Sequence, residues 1–303
     1  MRIVSLLPSI TEIVCALGLE SSLVGRSHEC DYPDTVESLP ACTAPRYRSD
    51  GTSSQINRRV KAVVQEGLSV YRVDADLLAA LEPDIILTQD HCEVCAASYS
   101  EVKKAVETHL DGEIRIVSVS PNSLDEIFLS IERIAEALGA GEAGEELIRS
   151  ISDRFNKLQS RTARLPTPRA ACIEWIDPLM TAGNWFPELV GIAGGESVLA
   201  RAGERSGRVG WRELADCDPD ILLVAPCGYA LGRTRSEMDR LAGMDGWDRL
   251  RAVKNGRVFL LDGNHYFHRP GPRLAESARI LAEIFHPGLV EPEHQSVGWI
   301  RQG

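Results

Sequence analysis

The stretch "RIVSLLPSITEIVCALGLESSLVGRS", residues 2–27, decides the fold class. It opens with a short apolar run closed by Pro8, which predicts a buried strand. Apolar residues then recur at helical spacing over residues 10–17, and Ser9 with Glu12 predicts a capping box at the start of that helix. A second apolar run, "SLVGRS", predicts another strand. The order strand, helix, strand is typical of a parallel sheet.

An internal repeat extends this interpretation to the whole chain. "VDADLLAALEPDIILTQ" begins at Val73, and "VGWRELADCDPDILLVA" begins at Val209. Each copy predicts a helix, a Pro-Asp turn and a strand that is buried on both faces. We therefore interpret Asp84 and Asp220 as turn residues. Two matching units so far apart predict an α/β protein with two Rossmann-like lobes built on parallel sheets.

The segment between the two copies predicts helices. One apolar stripe runs over residues 124–138, and a second helix is expected over about 142–159, long enough to brace two lobes. We predict an N-terminal α/β lobe over 1–121, a helical linker over 122–165, a C-terminal α/β lobe over 166–290 and a tail over 291–303. A ligand cleft is expected between the lobes.

Composition excludes some classes of function. The 303 residues carry a formal net charge of −11, which argues against nucleic acid as a partner, because phosphates require a basic surface. The chain has no run of 18 apolar residues, so we predict no direct membrane insertion. The N-terminus lacks a long apolar segment with a cleavage site, which predicts a cytoplasmic protein, or a periplasmic or cell-surface one if a leader was removed.

Several motifs resemble those of one known family. The opening stretch, "GNWFPELVGIAGGESV", "GWREL" and "HRPGPRL" are similar to the class III substrate-binding proteins of ABC importers, and most similar to their cobalamin-binding branch. The resemblance covers residues 1 to about 286. It implies two lobes joined by one long helix, and a non-catalytic protein that binds a small molecule. The expected ligand is cobalamin, a related corrinoid or another metal chelate.

Strand-end loops supply the candidate ligand contacts, because parallel sheets bind ligands beyond the carboxyl ends of their strands. Aromatic side chains in such loops offer wide contact area to a large planar ligand. The resemblance places Tyr266 and Arg269 at ligand positions. Trp185 and Trp211 have an alternative interpretation, burial within their own lobe. The full candidate set is Pro8, Ser9, Tyr47, Trp185, Phe186, Trp211, His265, Tyr266 and Arg269.

His265 departs from the family pattern, which often has an acidic residue at this position. A neutral imidazole is a common metal ligand, so His265 is a candidate axial ligand for the cobalt of a corrinoid. The alternative interpretation is a hydrogen-bonding histidine at the edge of a lobe.

A second departure is the stretch "DHCEVCAASY", residues 90–99, with a C-x-x-C pair beside a histidine. His28 and Cys30 follow a strand of the same lobe. Thiolates and imidazoles together suit zinc or another thiolate-bound metal. Redox chemistry at a helix start and inert thiols are the alternatives. The candidate metal set is His28, Cys30, His91, Cys92 and Cys95, and it supports an alternative function as a thiol-dependent metal-binding or redox protein.

The resemblance also implies a partner. Family members dock to the membrane subunits of an ABC importer through one surface acid on each lobe. The aligned positions here are Asp76 and Arg212, with Glu213 adjacent. Because one acid is replaced, a cytosolic carrier or sensor of a corrinoid is an alternative to the importer role.

Overall fold

The structure is a computed structural model that describes residues 1–89, 99–110 and 113–302. Its contacts divide the chain into two compact units. Unit 1 comprises Met1–Gly51, Gln55–Pro121 and Asp125–Arg149, and unit 2 comprises Thr52–Ser54, Asn122–Leu124 and Ser150–Gly303. The predicted partition into two lobes, a separate linker and a tail stays a prediction.

Unit 1 is built on a four-stranded parallel sheet with the strand order β2-β1-β5-β6. The β3 and β4 strands form a separate two-stranded antiparallel sheet. The β1 and β5 strands are wholly buried, as the continuous apolar runs predict. The strands are β1 (Ile3–Ser5), β2 (Leu23–Arg26), β3 (Thr43–Pro45), β4 (Tyr71–Val73), β5 (Ile85–Gln89) and β6 (Arg115–Val119).

Helices connect the parallel strands of unit 1, and the predicted strand-helix-strand opening is confirmed. The predicted cap is wrong. The first helix begins at Pro8, a position that proline favours because its φ suits the helix. Its N-cap is Leu7, whose side chain has no acceptor, so no side chain caps the helix. The helices of the first half of the chain are α1 (Pro8–Ala16), α2 (Ser53–Gln65), α3 (Ala75–Ala80), α4 (Tyr99–His109), α5 (Leu124–Ala137) and α6 (Gly141–Thr162), of which α6 continues into unit 2 from Ser150.

The α6 helix is the predicted long helix. Its 22 residues exceed the predicted span at both ends. At ~1.5 Å per residue it is roughly 33 Å long. No helix within the described residues is both long and apolar enough to cross a membrane.

Unit 2 has a seven-stranded sheet with β10-β8-β7-β11-β12-β13 in order and β9 beside β7. The β7, β11 and β12 strands are parallel, as predicted. The β8 strand pairs antiparallel with β7 and with β10, and β13 pairs antiparallel with β12, so this sheet is mixed. The strands are β7 (Arg169–Trp175), β8 (Met180–Thr181), β9 (Glu196–Ser197), β10 (Gly207–Arg208), β11 (Ile221–Val224), β12 (Val258–Leu261) and β13 (Trp299–Arg301).

The strand nearest the end of the described chain belongs to the sheet of unit 2. The β13 strand pairs with β12, and the Trp299 side chain is buried against Phe259, with ring centroids 5.6 Å apart.

The helices of unit 2 are α7 (Phe186–Ile192), α8 (Trp211–Cys217), α9 (Leu231–Ser236), α10 (Met238–Ala242), α11 (Arg251–Lys254) and α12 (Leu274–Phe285).

The internal repeat holds at the level of single hydrogen bonds. In unit 1, the Asp84 carboxylate accepts from the Arg2 backbone N–H at 2.6 Å, and the Arg2 side chain donates to carbonyls at the end of α3. In unit 2, Asp220 accepts from the Arg169 N–H at 3.0 Å, and the Arg169 side chain donates to carbonyls at the end of α8. Both aspartates therefore tie a helix-strand turn to the neighbouring strand, which explains their place in the repeat.

Candidate functional site

The loop after β12 carries a polar site built around Asp262. Asp262 is 5% exposed and starts a single π-helical turn, Gly263–Phe267. Its Oδ1 accepts from the backbone N–H groups of Asn264 and His265, at 2.9 and 2.8 Å. Its Oδ2 lies 2.9 Å from His265 Nδ1. One carboxylate thus caps the turn and orients the imidazole.

This pairing sets the chemistry of His265. When Nδ1 carries the proton and donates it to Asp262, Nε2 carries the lone pair. The His265 side chain is 37% exposed, so a ligand can reach it, whereas that of Asp262 is 7% exposed. A carboxylate behind an imidazole is the arrangement that orients metal-binding histidines in proteins. In this structure Nε2 lies 3.3 Å from the Asn264 side-chain amide nitrogen, so the imidazole makes hydrogen bonds through both nitrogens, and a metal centre would have to displace that amide.

Tyr266 and Arg269 lie in or next to the same turn. Tyr266 is half-buried, and the Arg273 guanidinium stands over its ring at 5.4 Å from the centroid. The Tyr266 carbonyl accepts from Ser277 Oγ at 2.6 Å. Arg269 is only 6% exposed. The Tyr266 ring is thus in contact with the Arg273 guanidinium, and most of the Arg269 side chain is buried.

A polar side chain that the sequence analysis missed, Glu174, contacts His268 of the loop after β12. Glu174, near the end of β7, accepts from Ser206 Oγ at 2.5 Å. Its Oε2 is 3.9 Å from Nδ1 of His268, whose Nε2 lies 2.6 Å from the Ala225 carbonyl oxygen. The signal was available, since Glu174 interrupts the apolar run "CIEWI" at the end of a predicted strand.

The two candidate tryptophans make their polar contacts within unit 2. Trp185 is 6% exposed, and its Nε1 donates to the Phe267 carbonyl at 3.0 Å. Trp211 is half-buried, donates to the Asp245 carbonyl at 2.7 Å and stacks on Trp247. Phe186 is buried too, with its ring 5.7 Å from that of Phe267. Ligand contact by these three residues stays a prediction.

The candidates of unit 1 are divided between its core and its surface. Pro8 and Ser9 are buried in the first turn of α1. Tyr47 is half-buried and packs against the core of unit 1. Its ring is inclined to that of Tyr71, with the ring centroids 6.3 Å apart. The Tyr71 hydroxyl donates to Glu29 Oε1 at 2.8 Å.

His28 and Cys30 have different surroundings. His28 Nδ1 lies 2.8 Å from Thr43 Oγ1, and its ring is 5.0 Å from that of Tyr71. Burial, with a smaller contribution from the charge of Arg26, lowers the pKa of His28 to about 4. This keeps the imidazole neutral at pH 7. Cys30 is 1% exposed, and its Sγ is 3.0 Å from Thr11 Oγ1, so the thiol lies in the core.

The remaining members of the candidate metal set, His91, Cys92 and Cys95, lie outside the described residues. Within the described part of the chain, no three His, Cys, Asp or Glu side chains stand together as metal ligands. The thiolate metal site therefore stays a prediction.

One known protein family matches most of the chain. The family model described as "Periplasmic binding protein" matches residues 3–265. The chain belongs to the periplasmic binding protein family. This confirms the family resemblance inferred from the motifs.

Individual relatives are distant but cover nearly the full length. The ABC transporter substrate-binding lipoprotein YvrC of Bacillus subtilis is 26% identical over 298 residues, covering 94% of this chain and 80% of that protein. The vitamin B12-binding protein of Yersinia pestis is 23% identical over 284 residues, covering 93% and 85%.

Solved structures share the fold. A periplasmic heme-binding protein from Pseudomonas aeruginosa has a TM-score of 0.71 at 21% identity, covering 95% of this chain and 93% of that chain. The predicted two-lobed α/β fold class is thereby confirmed.

Proposed function

We propose that this protein is a non-catalytic solute-binding protein whose ligand is a metal chelate of the corrinoid class, cobalamin or a close relative, for uptake by an ABC importer. The observation that carries the proposal is the His265–Asp262 pair. A partly exposed imidazole, oriented by a buried carboxylate at a strand end, suits the axial position of a chelated metal.

The surroundings of His265 support a ligand with a large body. Tyr266 lies beside it in the same turn and offers a half-buried aromatic surface. Among the relatives, the one from Yersinia pestis is named for binding vitamin B12, and its likeness covers 93% of this chain. Heme presents a metal with the same axial requirement, so it is the main competitor, and a heme-binding protein is among the structural neighbours.

A spectral titration distinguishes these ligands. Wild-type protein is titrated with aquocobalamin, cobinamide and hemin, and the visible spectrum and the Kd are recorded for each. We expect the two corrinoids to bind more tightly than hemin, with a spectral change from replacement of the axial water. Preference for hemin would contradict the corrinoid assignment, and binding of none of the three would contradict the proposed function.

Two variants test the imidazole itself. His265→Ala removes the ligand atom. Asp262→Asn keeps an oxygen that accepts the N–H groups of the turn, but places an amide donor opposite Nδ1 and so disfavours the tautomer with a lone pair on Nε2. We expect each to weaken corrinoid binding by about 10–100-fold. His109→Ala, at an exposed position of α4, is the matched control and should leave the Kd unchanged.

The membrane subunits of an importer are the proposed partner. Asp76 and Glu213 are exposed in the first turns of α3 and α8, the equivalent helices of the internal repeat. We propose that these two acids serve docking, with Glu213 taking the part that Arg212 cannot. Charge reversal of both, Asp76→Lys with Glu213→Lys, should abolish ligand-stimulated ATP hydrolysis by the transporter and leave the Kd for the ligand unchanged.

The location follows from the same proposal. A curated relative is a substrate-binding lipoprotein, and the family is named for periplasmic proteins. The interpretation as a cytoplasmic carrier has no support among these relatives. We therefore propose that the protein works outside the cytoplasm, and fractionation of cells that produce the natural gene product would test this.

A further inference from the structure

The last residues of the chain contact the loop that carries His265. We define the C-terminal strap as residues 293–301. Its strand, β13, pairs antiparallel with β12, which leads directly into the loop. At the junction, the Asp262 backbone N–H donates to the Gly298 carbonyl at 2.9 Å. The residue that orients His265 is therefore itself held from behind by the strap.

A buried carboxylate on α12 holds the strap in place. The Glu283 side chain is 0% exposed. Its Oε1 lies 2.8 Å from His294 Nδ1, and its Oε2 accepts from Trp299 Nε1 at 2.8 Å and from the His294 backbone N–H at 3.2 Å. Arg279 completes the set as an ion pair at 3.5 Å.

These contacts make the strap and Glu283 depend on each other. A buried carboxylate without partners is strongly unfavourable, and here three of the four donors around Glu283 come from the strap. Release of the strap would leave this charge buried without those donors. These hydrogen bonds consequently fix the strap to α12.

A second contact links the strap to the binding loop through a side chain. The His294 ring meets the Tyr266 ring edge-on, with centroids 6.0 Å apart. His294 thus touches Glu283 on one side and a candidate ligand residue on the other. Backbone and side-chain contacts together connect Glu283 to Asp262 and to Tyr266.

We infer that Glu283 is a positioning residue of the binding site: through the C-terminal strap it fixes the backbone of Asp262 and the ring of Tyr266, and thereby the orientation of His265. This deepens the proposed function and rests on it for the identity of the ligand. The positioning itself is a property of the ligand-free protein.

The experiment compares Glu283→Gln with a control variant that lowers the free energy of unfolding at a position outside the strap. Glu283→Gln keeps the shape but replaces one acceptor with a donor. Trp299→Phe is the second variant: it removes the indole N–H donor and leaves a small cavity beside Phe259, but it keeps the Glu283 carboxylate and its His294 contacts, and it serves if the first does not fold. The control is Ile221→Val, a fully buried change at the start of β11, the end of the strand opposite to the binding loops.

Two readouts are taken for folded protein at pH 7. In ligand-free protein, amide hydrogen exchange of Asp262, Asn264 and His265 should accelerate about tenfold in the strap variants, while Ile221→Val affects only amides that exchange by global unfolding. The Kd for aquocobalamin should rise about tenfold in the strap variants and stay within about twofold in the control.

Exchange and affinity indistinguishable from those of Ile221→Val would overturn the inference. Failure of the wild-type protein to bind any corrinoid or hemin would instead overturn the proposed function, and the exchange measurement would still decide whether Glu283 positions the loop.

Discussion

Trp185 offers a sharp test of how unit 2 is held together. Its side chain is 6% exposed, and its indole N–H donates to the carbonyl of Phe267, a residue that is 0% exposed. Trp185→Phe keeps an aromatic ring, but it removes the donor and leaves that carbonyl without this partner.

The expected loss of stability has two parts. An unpaired buried acceptor costs about 1–3 kcal/mol. The phenyl ring is roughly 40 Å³ smaller than the indole, and at about 24 cal/mol per Å³ the remaining cavity adds about 1 kcal/mol. We therefore expect Trp185→Phe to lower the free energy of unfolding by about 2–4 kcal/mol.

Trp211→Phe is the matched control, because it makes the same chemical change at a half-buried position. The Trp211 N–H donates to the carbonyl of Asp245, whose side chain is 99% exposed, so water can replace the indole. We expect a loss below about 1 kcal/mol. Urea unfolding followed by far-UV circular dichroism gives both values. Equal losses in the two variants would refute the burial argument.

Three further predictions follow from individual residues. Burial lowers the pKa of His28 to about 4 from 6.5, so folding excludes its proton and stability falls as the pH drops through that window; an NMR titration midpoint near 6.5 would contradict this. Burial opposes ionisation of Glu283, but the hydrogen bonds of the strap outweigh it and hold its pKa below 4.5. The stability difference between wild type and Glu283→Gln should therefore shrink as the pH falls through the folded-state pKa of Glu283, as urea midpoints would show; growth toward low pH would count against it. Gly263→Ala would press a methyl group onto the Pro226 carbonyl and cost about 1–3 kcal/mol, whereas Gly210→Ala meets open space, so comparable melting temperatures of the two variants would argue against the close packing.

The sequence predicted the local elements well where two signals agreed. The two copies of the helix, Pro-Asp turn and strand unit were recognisable because Asp84 and Asp220 each close the same hydrogen bond to a neighbouring strand. These bonds join residues 82 and 51 positions apart, so the repeated residues, rather than the bonds themselves, made the prediction possible. The cap at Ser9 was mispredicted because Pro8 satisfied the helix start without a side chain.

The pairing of the last strand was less accessible from the sequence. The strand Trp299–Arg301 was predicted as part of a tail, because its place in the sheet depends on Glu283, which lies 16 residues earlier and has the pattern of an ordinary helix residue. The same holds for the site. His265 was recognisable as a polar strand-end residue, but the burial of Asp262 behind it follows only from the packed structure.

We propose that His265 binds the metal of a corrinoid. Electron paramagnetic resonance of bound cob(II)inamide tests this directly, because cobinamide lacks the nucleotide base that would otherwise supply an axial nitrogen. We expect a nitrogen-14 superhyperfine triplet that becomes a doublet with nitrogen-15 histidine and disappears in His265→Ala. A spectrum of bound cob(II)inamide without nitrogen splitting in the wild-type protein would show that His265 does not bind the metal.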